Sequence, residues 1–236
     1  MAIATFTSAE NTSLSADNVN KAFIGYAYAI ETQDLLYTEH HSYQMPYIHQ
    51  VQYREVDGEI FATKVINYKN SYYAPDFMQE NLRNGENIKS IKVSDRIKIT
   101  YQENRTSNIK QNSIRHNPKL IIDAGFDHFI IKNWQTLNTG NEMTIDYLIP
   151  SSLDHYELRI KKEFCENENH YCFSISASSF FISLFSSELK LTYSNNIDID
   201  SSVQMIKLVS FQGRSNICDS EGKYQDVSIV YKYDES

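Results

Sequence analysis

The chain has 236 residues, 41% of them hydrophobic and 22% charged, a balance that excludes disorder, collagen and coiled coil and suits one large soluble domain or two small ones. The formal net charge is −8 with no strongly basic segment, so the footprint that phosphate backbones or anionic membrane surfaces require is missing and nucleic acid is not an expected partner. No uninterrupted apolar run approaches the roughly 20 residues that cross a bilayer, so no membrane span is expected.

Tyr 17 and Phe 12 beside Trp 1, with abundant Ser, Asn, Ile and Val, form a strand-favouring mixture. Gly 7 and Pro 4 are few, which suggests long strands joined by Asn- and Asp-rich loops. Met1 to Ala9 are apolar or small and end in Thr7-Ser8-Ala9, like the tail of an export signal, although no basic region precedes them. A trimmed signal, an internal start and an ordinary terminus all fit. Residues 1–20 read as a disordered lead-in or signal remnant, and 21–236 as a single β-rich domain, because no repeat or linker interrupts them.

Ala22 to Tyr43 alternates as two antiparallel strands, with Tyr26, Tyr28 and Ile30 on one face of the first and Tyr37, Glu39, His41 and Tyr43 on one face of the second. Ile48 to Val56 and Glu59 to Tyr68 form a hairpin turned at Asp57-Gly58. Residues 69–87, with Pro75 and Asn84-Gly85, read as a long surface excursion anchored by Phe77. Strands return at Ile88 to Val93 and Arg96 to Gln102, while Thr106 to Asn117 is too polar to assign.

At Asp123 the period changes. Phe126, Phe129, Ile130, Trp134 and Leu137 recur at three- and four-residue steps, so the spacing predicts a central amphipathic helix capped by Asp123 and ended by Gly140. Further strands follow at Glu142 to Ile149, His155 to Phe164 and Tyr171 to Ala177. A second, shorter helix is predicted over Ser178 to Leu189, and two last strands at Ser201 to Gly213 and Gln225 to Tyr233. The fold class expected is α+β: a strongly curved, mainly antiparallel sheet, a half-barrel or barrel, around the two helices.

Asp123 to Trp134, the strand ending in Pro150, and GRSNICDSEGKYQDVSIVYKY from Gly213 to Tyr233 resemble a group of uncharacterised bacterial proteins that usually carry export signals. The likeness includes Asp57-Gly58 and Ala74-Pro75-Asp76-Phe77. The order of elements also resembles periplasmic lipoprotein-carrier half-barrels, in which a concave sheet capped by helices holds acyl chains. These resemblances imply a periplasmic or secreted protein and carry over no catalytic residue.

Candidate chemistry is sparse. Cys165 and Cys172 flank six polar residues between strand-like runs, so a hairpin there leaves two readings, a disulfide or two unpaired thiols, with Cys218 the odd one. Glu39, His41 and His49 have the ligand chemistry of zinc if they converge across a strand pair, but a polar, solvated sheet face with Tyr packing is the favoured account, and no metal is expected. Cys165 with His170 would need a rigid setting that a polar loop does not offer. Asp198 with Asp200, and Asp219 with Glu221, supply too few oxygens for calcium and read as turn chemistry. No cofactor motif is present, and a non-enzymatic role is favoured over an enzyme.

What remains is the aromatic surplus. Tyr26, Tyr28, Tyr37, Phe61, Phe129, Trp134, Tyr147, Phe181 and Phe185 are the candidate lining of an apolar cavity, although plain core packing is the favoured use for such aromatics. The function expected is an exported protein binding a hydrophobic, lipid-like ligand. The alternative is an envelope interaction or assembly factor whose protein partner docks on a sheet edge or on the 69–87 excursion.

Overall fold

A computed structural model describes residues 22–44, 46–177, 188–197 and 204–233. In chain order it contains β1 (Phe23–Ala29), β2 (Leu35–Gln44), β3 (Ile48–Arg54), β4 (Ile60–Asn67), β5 (Asp76–Asn81), β6 (Asn87–Val93), β7 (Arg96–Gln102), β8 (Lys110–Arg115) and β9 (Leu120–Ile121). Two helices follow, α1 (Gly125–Lys132) and α2 (Trp134–Asn138). Then come β10 (Met143–Ile149), a 3-10 turn at Pro150–Ser152, β11 (Asp154–Glu163), β12 (His170–Ala177), β13 (Leu189–Ile197), β14 (Gln204–Cys218) and β15 (Tyr224–Tyr233). The lead-in expected over residues 1–20 lies outside the described residues, as do Phe181, Phe185 and nearly all of the second predicted helix. Leu189, the last residue of that predicted helix, instead opens β13.

All the strands join one sheet in the order β8-β7-β6-β5-β4-β3-β2-β1-β15-β14-β13-β12-β11-β10-β9. Every neighbouring pair is antiparallel except β9 with β10. The chain's first and last strands meet in the middle of the ladder, β1 pairing with β15 from Phe23↔Tyr233 to Ala29↔Val227.

The half-barrel or barrel expected from the sequence is corrected by this order, because β8 and β9 are open edges that do not pair. The physical reason lies in the edges themselves. β9 has two residues, too few to extend a ladder, and β8 shows Lys110, Gln111 and Asn112 to solvent, the polar dressing that keeps an edge unpaired. Near these edges Asn112 Nδ2 donates to the carbonyl of Leu153 at 3.0 Å, and Ile97, Ile99 and Ile114 share an apolar cluster with Leu120, Ile122 and Leu148.

Alternation governs most strands. In β3, His49, Val51 and Tyr53 are buried while their neighbours are half-exposed, and the Asp57-Gly58 turn into β4 has Gly58 at φ +93, open to glycine without penalty. The expected excursion at 69–87 is corrected: it contains β5, a full member of the sheet between β4 and β6. Its pattern is inverted, with Phe77, Gln79 and Asn81 buried and Met78 exposed. The buried amides are satisfied across the covered face, Gln79 Nε2 donating to the Asn216 carbonyl at 3.0 Å and Asn81 Nδ2 to that of Cys218 at 2.8 Å.

The predicted central helix is divided into α1 and α2 at Asn133, whose φ of −101° leaves the helical range and whose Nδ2 donates to the Phe129 carbonyl at 2.8 Å. Asp123 does not cap. It sits at φ 47 with Oδ1 accepting the Ala124 N–H, and its other oxygen is taken by Lys64. Gly140, at φ +88, ends α2 as its position predicts, its N–H donating to the Leu137 carbonyl at 3.0 Å. At the entry to α1, Gly125 lets the helix approach the 72–73 segment. A Cβ there would collide with the Tyr73 carbonyl oxygen.

The helices lie on the covered face. Trp134 is 4% exposed and meets Tyr171, Phe173 and Tyr193 edge-on with ring centroids 5.0, 5.7 and 5.8 Å away. Cys165 and Cys172 form a disulfide, Cα atoms 5.5 Å apart, that clips the β11–β12 hairpin. This resolves the two sequence readings of that pair and removes Cys165 as a thiol partner for His170.

Candidate functional site

Between the covered face of the sheet and α1 lies a cavity of about 1030 Å³. Its apolar wall includes Phe23, Phe126, Ile131, Leu189, Phe211 and Tyr147. Size and lining suit a small-molecule site, since ligand pockets of roughly 300–1,000 Å³ are mostly apolar with a few placed polar groups.

The polar groups come from strand alternation. In β2, Glu39 shares a face with Tyr37, His41 and Tyr43, as the two-residue period predicts, and pairing with β3 sets His49 opposite Tyr43. Glu39, His41 and His49 converge in the cavity wall: His41 Nε2 lies 3.3 Å from Glu39 Oε2, and His41 Nδ1 lies 2.9 Å from His49 Nε2. The face is not the solvated one that the sequence favoured, because Glu39 and His49 are 4% and 5% exposed. Phe23 stacks on His41 at 4.0 Å, Tyr43 stacks on His49 at 4.4 Å, and Tyr231 donates its hydroxyl to Glu39 Oε2 at 3.4 Å. Burial above all holds the His49 imidazole well below its usual range, with His41, Lys64 and His128 acting in the same direction, so the ring is neutral. Its Nδ1 has no hydrogen-bond partner.

A second polar group sits where β4 faces the helix entry. Lys64 is 2% exposed, and its ammonium donates to Asp123 Oδ2 at 2.7 Å while lying 5.9 Å from the Tyr53 and Phe77 rings. Lys64 was not a sequence candidate, yet its place two residues from Ala62 and Ile66 in β4 put it on the covered face. α1 adds Asp127 and His128. Burial raises the Asp127 carboxyl to about 6 against the counteracting Tyr193 hydroxyl, and burial lowers the His128 ring to about 4. Asp127 retains some accessible surface because it faces the cavity instead of close-packed atoms.

These shifts have opposite signs in stability. Asp127, raised above the ordinary 3.8, contributes fully below that value and loses its contribution as pH rises through about 6; His128, lowered from 6.5, contributes above that value and loses its contribution as pH falls towards about 4. Urea unfolding between pH 4 and 7 should therefore show Asp127→Asn gaining on the parent as pH rises and His128→Phe gaining as it falls, each by up to about 3 kcal/mol. Parallel curves for parent and variants would show that neither side chain is shielded from water.

Of the sequence candidates, Tyr147 lines the cavity. Tyr26 and Tyr28 are on the opposite face of β1, where Lys232 lies 4.9 Å over the Tyr26 ring. Gly25 and Ala27 face inward instead, and a Cβ on Gly25 would come within 2.8 Å of the Tyr231 ring. Tyr37 and Phe61 pack in the apolar cluster with Ala27 and Val227. Phe129 and Trp134 pack in the one with Ile130 and Tyr193. Phe181 and Phe185 lie outside the described residues.

Other polar clusters are internally satisfied. A recess of about 320 Å³ beside Tyr37 holds Arg83, but the guanidinium is engaged by Glu55 at 2.7 and 2.5 Å and stacks 3.5 Å over Phe61. Cys218 is buried with Asn81, Asn84 and Glu86 around its sulfur, and burial followed by the Glu86 charge pushes the thiol up to about 12, which leaves it protonated and unreactive. Asp219 Oδ1 accepts the N–H groups of Glu221 and Lys223, a turn role. Asp198 and Asp200 lie outside the described residues. Among the described residues, no group of three or more His, Cys, Asp or Glu is arranged to hold a metal ion, and no helix is long and apolar enough to cross a membrane.

No family model, no curated protein and no solved structure matches the chain. The resemblances to an uncharacterised exported family and to lipoprotein-carrier half-barrels are corrected accordingly. No family is supported, and the open sheet removes the architecture on which the carrier analogy, with its periplasmic and lipid-binding associations, rested.

Proposed function

We propose that the protein is a non-enzymatic binding protein that holds an apolar small molecule carrying one polar group. The observation that supports this reading is the cavity itself: a predominantly aromatic and aliphatic wall interrupted by His49 Nδ1, a buried polar atom without a hydrogen-bond partner. Buried polar atoms are normally paired, because leaving one unpaired costs about 1–3 kcal/mol, so a ligand completing it recovers free energy that the fold has forgone. Catalysis is less well supported. The Glu39–His41–His49 chain resembles a proton relay, but no hydroxyl or thiol is bonded to His49 Nδ1, which is without a partner. An oxidising compartment suits the Cys165–Cys172 disulfide, which is why the reading retains export.

Docking of a protein partner has weaker support. The 69–87 excursion it invoked contains a sheet strand, and the exposed Val56, Ile109 and Phe164 lie in three different connections between strands.

Native mass spectrometry on protein purified from its own host should show an adduct of roughly drug or lipid size that organic extraction removes. Protein that is wholly unliganded, and that takes up no polarity-sensitive dye before or after extraction, would refute the reading.

A further inference from the structure

We infer that the ligand enters and leaves the cavity at one end, through an aromatic mouth gated by the side chain of Tyr72. This rests on the cavity being a ligand site, as proposed above.

The cavity wall is buried or half-buried along most of its length, and its exposed members among the described residues are Gln44, Pro46, Tyr47, Tyr72, Lys132 and Asn216. All but Asn216 gather at one place. The Tyr68 N–H, just past the end of β4, donates to the Tyr47 carbonyl at 3.0 Å, which ties the β2–β3 turn to the β4–β5 connection. Tyr72 in that connection stacks on the Tyr68 ring with centroids 5.8 Å apart, and the His128 ring lies 4.7 Å from Tyr68 and 4.9 Å from Tyr72. Lys132 is one helical turn beyond His128 on α1. The hairpin turn, the connection and the helix therefore frame the mouth. It lies beside the polar cluster, because the Tyr43↔His49 pair is one step inward from Gln44↔Ile48, the last pair of that hairpin.

Asn216 marks a closed end. Its carbonyl accepts from the buried Gln79 Nε2 at 3.0 Å and its Oδ1 from the Tyr53 hydroxyl at 3.4 Å, so opening there would leave buried donors unpaired. Tyr72 carries no such cost. It is 50% exposed, while the backbone beside it is fixed: Ser71 Oγ accepts the N–H groups of Tyr73 and Ala74 at 3.2 and 3.0 Å, and the Tyr73 carbonyl accepts the Ile122 N–H at 2.9 Å. A half-exposed ring on an anchored backbone opens by rotating about its own side-chain bonds, with no strand displaced.

The test follows Nile red uptake and release by stopped-flow fluorescence on full-length protein carrying Tyr72→Cys or Asn216→Cys, before and after coupling to a bulky maleimide. The chain's own cysteines do not compete, Cys165 and Cys172 being joined and Cys218 buried and protonated. Coupling at 72 is expected to slow entry and release at least about tenfold, and coupling at 216 to change them less than about twofold. Tyr72→Ala should speed both rates several-fold with Kd kept within about twofold, the mark of a gate as against a binding contact. Slower exchange on coupling at 216, or unchanged exchange on coupling at 72, would overturn the assigned entrance while leaving the cavity reading intact. Unchanged rates in Tyr72→Ala, or a Kd weakened through release alone, would overturn the gate. A parent protein that takes up no Nile red would overturn the cavity reading itself. Each coupled protein is compared with the same protein uncoupled, so the result at 72 stands even if Asn216→Cys does not fold.

Discussion

Lys64→Met is expected to destabilise the protein by about 3–5 kcal/mol, measured as a lower urea midpoint with an unchanged slope. Lys64 is 2% exposed and its ammonium is 2.7 Å from Asp123, which is itself only 14% exposed at its side chain. Taking away the ammonium leaves a carboxylate with a backbone N–H from Ala124 as its remaining bond, in a wall where water cannot fully replace the lost partner. The cost is therefore that of an orphaned charge and not the value of the pair. Adding Asp123→Asn to the same protein should restore most of the loss, because asparagine keeps the N–H acceptor, removes the charge and tolerates the φ of 47 found there. A cycle in which the two single losses simply add, with coupling below about 0.5 kcal/mol, would show that the two groups do not depend on each other.

Trp134→Ala should cost a similar amount, about 3–5 kcal/mol, by a different route. The indole fills the space between α2 and strands β12 and β13, with three aromatic rings edge-on to it. Truncation leaves a void that those rings cannot close, because their own strands are fixed by pairing from Tyr171↔Tyr193 to Ile175↔Leu189. Trp134→Phe should lose less, since part of the volume and one aromatic face remain. Because Trp134 does not line the cavity, dye uptake by the cavity at low temperature should change far less than stability does. An alanine variant as stable as its parent would mean that the helices do not anchor the sheet.

Most of the local structure was legible in the chain because it depends on periods that a sequence displays directly. The two-residue alternation of β2 and β3 placed Glu39, His41 and His49 where they could meet, and the three- and four-residue spacing after Asp123 located the helical segment. Asp57-Gly58 fixed one hairpin through a backbone conformation that glycine alone adopts freely. Where this reading failed, polarity and burial had parted company. β5 was hidden because its inward positions are Gln79 and Asn81, whose amides are satisfied by carbonyls of β14 more than a hundred residues away in sequence. β13 was missed and β14 was ended short of Cys218 by the same reliance on local pattern.

The sequence by itself determined which residues alternate and which recur helically, and hence that a largely antiparallel sheet would carry an aromatic-faced helix. It could not determine which face of β1 is covered. Tyr26 and Tyr28 are the larger and more apolar set, yet Gly25 and Ala27 face inward because Tyr231, reaching over from β15, occupies the space that larger side chains would need. Nor could it decide whether the ladder closes, which depends on the length and polarity of the two edge strands. The cavity belongs to the tertiary structure for the same reason: His49 becomes a neutral ring with an unpartnered nitrogen only when its neighbours Phe23 and Tyr43 and the rest of the fold exclude water from it, and no residue type or spacing encodes that exclusion.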